Sequence, residues 1–507
     1  MCWDEDLERY NWADMKRSFL CFALITAIVS ACSGNVAPTI VETSAPGVEP
    51  PALGQESPTP EASLEAATFA PTPEPQKPAF TQYTFNVVLD YDSRQANVDQ
   101  EVAYLNNTDG LLEELLLVVE PNRFPGAFTL DQITWDNGEP VVDYSLEGAK
   151  LEIALSEPLP PGSEFVFFLS YQLNIPQQNA PFGFTDRQIN FGDWYPLVPP
   201  YLPEEGWLVR EAAYLGEHLA YDVADFQVAI QLASPTSADG RPVVIAASAP
   251  VEKKDDKYTY RFDAARSFAW SVSDQYQVMT TTVGDVEVLS YAFPFHPAAE
   301  ESVLTATADA LALFTTLYGP YPHRSLSVVE ADFLNGMEYE GLIFLSHAFY
   351  DYFTGTPENN LIIIAAHEVA HQWFYGQVGN DQALEPWLDE ATTTYSEMFF
   401  YKNVHPELLN WWWNNRIYFH KPEGWVDSTI YDTPGFYPYR DAIYLRGALF
   451  LDEIKQLIGE ELFLEFLRDY LHTFRYRIAS GDDFLRMLQE YTNEDLAPIV
   501  EKYFSNR

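Results

Sequence analysis

The sequence predicts a multidomain protein in which an all-β sandwich or saddle, residues 80–293, precedes a mainly α-helical domain, residues 294–507. From about residue 80, apolar residues recur at every second position, with turn-forming clusters between the runs, as half-buried strands require. Near residue 298 the pattern changes to the period of amphipathic helices and keeps it for most of the remaining chain.

In the β region, Tyr83, Phe85, Val87 and Leu89 alternate with Thr84, Asn86 and Val88. Further strands are expected at Leu115–Val119, Leu151–Leu155, Phe165–Leu173, Phe226–Leu232, Pro242–Ala247, Tyr258–Phe262 and Val286–Phe293. Asn107-Thr108-Asp109-Gly110 and Pro160-Pro161-Gly162 supply turns. No helical pattern interrupts these strands, which favours packing sheet on sheet. A helix is then expected over Ala298–Tyr318, stopped by Gly319-Pro320. A strand at Ser325–Val329 follows, with helices at 360–376, 386–401, 441–458, 460–475 and 481–491. No solenoid-type repeat is visible.

The N-terminus carries an address rather than a fold element. Lys16 and Arg17 precede an apolar run, Phe19–Val29, and the small residues Ser30-Ala31 before Cys32. A basic start and a short apolar core describe a secretory signal over 1–32. The run is short for a bilayer span, which takes about 20 apolar residues. Val29-Ser30-Ala31-Cys32 also resembles the lipobox of bacterial lipoproteins, which makes Cys32 the candidate lipidation site; an ordinary signal peptide is the alternative. The acidic residues before Met15 are unusual for a signal, so translation from Met15 is the other expected start. Residues 33–79 hold ten of the 36 prolines, mixed with Ser, Thr, Ala and Glu, and read as a disordered linker. An exported body, tethered through a lipid to a bacterial membrane, is the expectation.

Composition narrows the partners. The formal net charge of -47 repels phosphate backbones, so nucleic-acid binding is not expected. Such a surface attracts cations, including protonated amino ends of peptides. The three cysteines, Cys2, Cys21 and Cys32, lie in the first 32 residues, so a metal in the body must be held by His and carboxylate.

His367-Glu368-Val369-Ala370-His371 closes an apolar run that begins at Leu361. On a helix, residues four apart sit one above the other, so both imidazoles can reach one ion. Glu368 projects about 100° away, beside an open coordination position. Asn359 or Asn360 can cap the helix. Catalytic zinc usually takes three protein ligands and a water. Glu390, with eighteen residues between it and His371, is the candidate third ligand, giving one zinc per chain. Glu397 lies seven positions further on the same helical face and can orient a ligating imidazole.

These residues resemble the zinc aminopeptidases of the aminopeptidase N type, a branch of the gluzincins, over about residues 80–507. The family's His-Glu-x-x-His, eighteen-residue gap and Trp-Leu-x-Glu are matched by His367–His371 and Trp387-Leu388-Asp389-Glu390. Gly336-Met337-Glu338-Tyr339 resembles the family's recognition strand, although Tyr339 stands where Asn is usual. Tyr444-Leu445-Arg446-Gly447 resembles its Tyr-x-Lys-Gly segment, and Ala265–Asp274 the end of its N-terminal β domain. The resemblance implies a thermolysin-like catalytic domain over 294–507 and hydrolysis of peptides with a free N-terminus. It gives Glu368 the role of general base and Tyr444 that of oxyanion donor. Glu338 becomes the clamp on the substrate's amino group, with Met337 and Gly336 shaping the first side-chain pocket. The large C-terminal helical domain of many members has no counterpart before Arg507. A related endopeptidase with an open cleft is therefore an alternative, as is an inactive surface-anchored binding protein. Trp411-Trp412-Trp413 reads as core more than groove, and His323, His347, His405, His420 and His472 show no metal spacing.

Overall fold

The computed structural model describes residues 80–203 and 205–505. The expected signal segment with Cys32 and the Pro-rich stretch 33–79 lie outside the described residues.

Alternation builds the first sheet. On strand Thr81–Asp90, Tyr83, Phe85, Val87 and Leu89 are buried while Gln82, Asn86 and Val88 face solvent. This strand sits at the centre of a seven-stranded sheet, antiparallel to Gln95–Leu105 and parallel to Ala224–Leu232. A three-stranded sheet (Leu112–Val118, Lys150–Leu159, Tyr144–Glu147) and a four-stranded sheet (Val244–Ala247, Trp270–Ser273, Ile189–Phe191, Phe182–Phe184) share its core. Leu115, Leu151, Trp194 and Trp270 are fully excluded from solvent there.

The second half is built on a five-stranded mixed sheet in the order Gln277–Val283, Val286–Ala292, Ser325–Ala331, Leu342–Ser346, Gly336–Met337. The Val286–Phe293 run, expected to end the β domain, therefore belongs to the second half instead. The cause is topological. It pairs in parallel with Ser325–Ala331, and parallel neighbours need a crossover, here helix α1 (Pro297–Tyr318). Val288 and Val328 pack in one core with Val303 and Phe314 of that helix.

Helices α2 (His347–Asp351), α3 (Asn360–Ala370) and α4 (Trp387–Val404) follow. Helix α3 stops at Ala370 rather than near 376. Tyr375 takes a left-handed backbone (φ 115°) and Gly376 N–H returns to His371 O at 2.9 Å, turning the chain back. The helix expected over 441–458 opens with a wide turn, Asp441–Leu445, before the regular helix Arg446–Ile458. Among the described residues no helix is long and apolar enough to cross a membrane.

Arg266, at the end of the β half, is the staple between the two halves. Its buried guanidinium donates to the carbonyls of Tyr221 (2.9 Å), Tyr375 (2.7 Å), Gly376 (3.0 Å) and Arg477 (2.9 Å). Gly379 makes room for it: a Cβ there would lie 2.7 Å from Arg266 Cζ.

Candidate active site

Helix α3 is rigid because it is buried almost all round. Asn359 caps it, its Oδ1 accepting Leu361 N–H at 2.9 Å. Leu361, Ile363, Ala366 and Val369 fill the core. Helix α4 is equally enclosed, with Trp387, Ala391 and Phe400 fully buried. Gly447 lets the Arg446–Ile458 helix close on α4 beside Glu390, since a Cβ there would meet Ala391 Cβ at 2.3 Å.

These supports bring three ligand atoms together. His367 Nε2 lies 3.2 Å from His371 Nε2 and 3.1 Å from Glu390 Oε2, and His371 Nε2 lies 3.5 Å from the same oxygen. His371 Nδ1 donates to the Phe374 carbonyl at 3.0 Å, and His367 Nδ1 to Glu397 Oε1 at 2.9 Å. A carbonyl can only accept, so Nδ1 of His371 carries its hydrogen and Nε2 its lone pair; the carboxylate imposes the same tautomer on His367. Two lone pairs and a carboxylate facing one point are what a cation needs. A tetrahedral ion with bonds of about 2.0–2.1 Å keeps its ligand atoms roughly 3.3–3.4 Å apart, so the spacing fits zinc.

Behind His367, Glu397 is fully buried and accepts from Arg416 at 2.8 and 2.9 Å and from Trp412 Nε1 at 3.0 Å. Burial disfavours its charge, but Arg416 and His367 more than offset that and hold its carboxyl below the usual range. Burial likewise opposes the charge of Glu390, yet the two histidines beside it hold its carboxyl well below the usual range. Tyr444, in the wide turn that opens its helix, donates its phenol to Glu390 Oε1 at 2.5 Å. Glu368 points elsewhere: its Oε2 is buried without a hydrogen-bond partner, and burial pushes its carboxyl up to about 8.

His367, Glu368, His371, Glu390, Arg416 and Tyr444 line one cavity of about 710 Å³. Gly336, Met337 and Glu338 line it too, with Phe349 and Ile364 supplying apolar surface. Gly336 is required by proximity, because a Cβ there would fall 1.9 Å from Glu368 Oε1. Gln382 Nε2 bridges Glu338 Oε1 (3.1 Å) and Asp389 Oδ2 (2.9 Å), fixing the clamp candidate to the segment that carries Glu390. Glu217 reaches the cavity from an irregular β-half loop. Burial, then the charges of Glu338, Glu390 and Asp389, pushes its carboxyl far up. Glu338 is raised by burial too, with His371 opposing and Glu390 adding to the rise.

Residues 303–503 match the Peptidase family M1 domain. Over 230 residues the chain is 28% identical to human (Homo sapiens) endoplasmic reticulum aminopeptidase 2, covering 42% of this chain and 24% of that protein. It is 26% identical to rabbit (Oryctolagus cuniculus) aminopeptidase N over 253 residues, covering 45% and 26%. The chain thus spans about a quarter of the length of these curated relatives. An M1 zinc metallopeptidase from Deinococcus radiodurans has the same fold, with a TM-score of 0.59 at 19% identity over 83% of this chain and 92% of that one.

The chain carries a peptidase family M1 domain of the aminopeptidase N-like gluzincin type.

Within the M1 domain the structure gathers His367, His371, Glu390, Glu368, Tyr444, Glu338, Met337 and Gly336 around one cavity, and sets Glu397 directly behind His367. Tyr339 turns away from the cavity. It is 1% exposed and donates to Asp193 Oδ2 at 2.8 Å, tying the recognition strand to the β half. Gly192 leaves space for that ring, since a Cβ there would lie 2.2 Å from Tyr339 Oη. Of the three tryptophans, Trp412 is the buried partner of Glu397, and none lines the cavity. Sequence reasoning missed Glu217, Gln382 and Arg416. For Glu217 the one available signal was Gly216, whose left-handed φ of 73° marks a tight approach to Tyr439.

Proposed function

We propose that this chain is a zinc aminopeptidase that removes residues from peptides with a free N-terminus. The observation that carries the reading is the shared cavity. Three converging ligand atoms, an unpartnered Glu368 and the carboxylates of Glu338 and Glu217 all line it. Relatives named as aminopeptidases support it, as does a Deinococcus radiodurans fold neighbour crystallised with Tyr-Ser-Ala substrate, TM-score 0.60 and 19% identical.

His367, His371 and Glu390 hold one zinc, whose bonded role is to polarise the scissile carbonyl and acidify a water toward neutrality. Glu368 takes the proton from the attacking water and returns it to the leaving amine. Its lack of any other partner leaves it free for both transfers. Tyr444 swings its phenol from Glu390 to the oxyanion that develops on the carbonyl oxygen. Glu338 and Glu217 grip the substrate's ammonium by charge-assisted hydrogen bonds, which fixes how far the scissile bond lies from the chain end. Met337, Phe349 and Ile364 give the first side chain an apolar seat.

The test is hydrolysis of aminoacyl chromogenic amides and of paired free and acetylated peptides. Glu368→Gln, with zinc content unchanged, is expected to lose activity by several orders of magnitude, and chelation to abolish it. Glu217→Gln and Glu338→Gln are expected to raise KM for free-amine peptides roughly 10- to 100-fold, in line with loss of a charged hydrogen bond of about 1.5–3 kcal/mol. Equal cleavage of acetylated and free peptides by the wild type would instead favour an endopeptidase.

We infer further that Cys32 is acylated and that the enzyme works outside the cytoplasm, tethered to a bacterial membrane. The basic pair Lys16-Arg17, the apolar run and the small residues before Cys32 support this. Cys32→Ser should move the protein from the membrane fraction to the soluble one; unchanged fractionation refutes the anchor.

A further inference from the structure

The carboxyl ends of the three parallel strands of the catalytic sheet gather a second set of ligating side chains. Strand Val286–Ala292 leads to His296 at the cap of α1, Ser325–Ala331 carries Glu330, and Leu342–Ser346 runs directly into His347 at the start of α2. Asp351 follows His347 by four positions, hence on the same helical face. His296 Nε2 lies 2.8 Å from Asp351 Oδ1, and His347 Nε2 lies 3.5 Å from the same oxygen. The ligand atoms of these three residues all fall within 4.8 Å of one another.

We propose that His296 Nε2, His347 Nε2 and Asp351 Oδ1 hold a second divalent transition-metal ion, independent of the catalytic centre. Two imidazoles and one carboxylate select zinc-like ions over calcium or magnesium, which take oxygen donors. His347 is already oriented for the task. Its Nδ1 meets Glu330 Oε1, and that carboxylate is itself fixed by Phe293 N–H at 2.8 Å. A carboxylate behind a histidine fixes the tautomer that offers Nε2 to a metal. His296 is free to serve as well, because its side chain makes no capping hydrogen bond to α1.

Arg187 is the nearby cation, with Nη1 3.4 Å from His347 Nε2. It is committed to Asp332 through Nε at 3.2 Å and through Nη2, and it lies over the Phe293 ring at 4.3 Å. A contact from its N–H requires a lone pair on His347 Nε2, the same tautomer an ion requires. Glu330, Asp332 and Asp351 outnumber that one positive charge. The side chains of His296, His347 and Asp351 remain 28%, 21% and 47% exposed, so an ion can enter from solvent.

The experiment is Co2+ titration of chelator-stripped full-length protein, with bound metal per chain counted by equilibrium dialysis and followed by visible absorption. Wild type should bind two ions, His296→Ala and Asp351→Asn one each, and His371→Ala one, with the weaker site at least tenfold weaker in either second-site variant. A His296→Ala protein that binds as many ions as wild type, with unchanged affinity, overturns the proposal. Failure of the catalytic reading looks different: His371→Ala would then bind as many ions as wild type.

Discussion

Gly336→Ala tests the catalytic geometry with the smallest possible perturbation. The new methyl carbon would sit 1.9 Å from Glu368 Oε1, 2.5 Å from its Cδ and 3.0 Å from its Cγ. Ordinary contact begins at 3.4 Å, so carboxylate and strand must part by about 1.5 Å. Gly336 is not among the residues with a left-handed backbone, so the effect is steric rather than conformational. A displacement near 1 Å at a reacting group costs about 100-fold in rate, equivalent to roughly 2.7 kcal/mol of activation free energy. The assay is steady-state hydrolysis of an aminoacyl amide, alongside zinc content. If Glu368 retreats, kcat falls at least 100-fold while KM and zinc stay near wild type. If the two-residue strand Gly336–Met337 yields instead, Glu338 shifts with it and KM rises. An alanine variant with both constants within threefold of wild type would refute the placement of Glu368 against this strand.

Tyr444→Phe removes the phenol that now rests on Glu390; kcat should fall about 10²- to 10³-fold with little change in KM or bound zinc. Arg416→Lys replaces the two-point grip on Glu397 with a single point; chelator competition should show zinc affinity lower by about 10- to 100-fold. Asp193 provides a pH test away from the metal. Burial raises its carboxyl to about 6 despite hydrogen bonds from Tyr221 and Tyr339, whereas the unfolded chain releases that proton near the ordinary 3.8. The folded state therefore binds the extra proton between these values, and stability falls as pH rises through that window. The unfolding free energy of wild type relative to Asp193→Asn should drop by about 1.4 kcal/mol per pH unit between 3.8 and about 6 and stay level on either side; urea melts at several pH values measure it, and a flat difference across the window refutes the assignment.

What the sequence revealed follows from the range over which each residue acts. His367, His371 and Glu368 sit within five positions on one helix, so their relation is fixed by helical period alone. Glu390 and Glu397 share a second helix, and Tyr444 and Gly336–Glu338 stand in short recognisable segments. Glu217, Arg416 and Gln382 act only through contacts that the folded chain creates, and no local period marks them. Val286–Ala292 was legible as a strand but not in its sheet, since its partner Ser325–Ala331 lies beyond a 22-residue helix. His347 and Asp351 show helical spacing, but His296, the third member of that group, comes from the other side of the same crossover.

The β half helps to build the candidate site rather than standing beside it. His371 is the last residue before the chain reverses, and its ring is set by the Phe374 carbonyl. The carbonyls that follow, from Tyr375 and Gly376, are held by Arg266. The orientation of a metal ligand therefore depends on a guanidinium that the β half supplies. The same half anchors Tyr339 through Asp193 and delivers Glu217, so the strand bearing Glu338 is fixed from one side and joined by a second carboxylate from the other. Without the β half, the M1 domain would keep His367, His371 and Glu390, yet lose the guanidinium that holds the turn behind His371 and one of the two carboxylates proposed to grip an ammonium. Under the proposed aminopeptidase function, the span from those ligands to Glu338 and Glu217 sets where a peptide is cut, and Glu217 brings the β half into that measure.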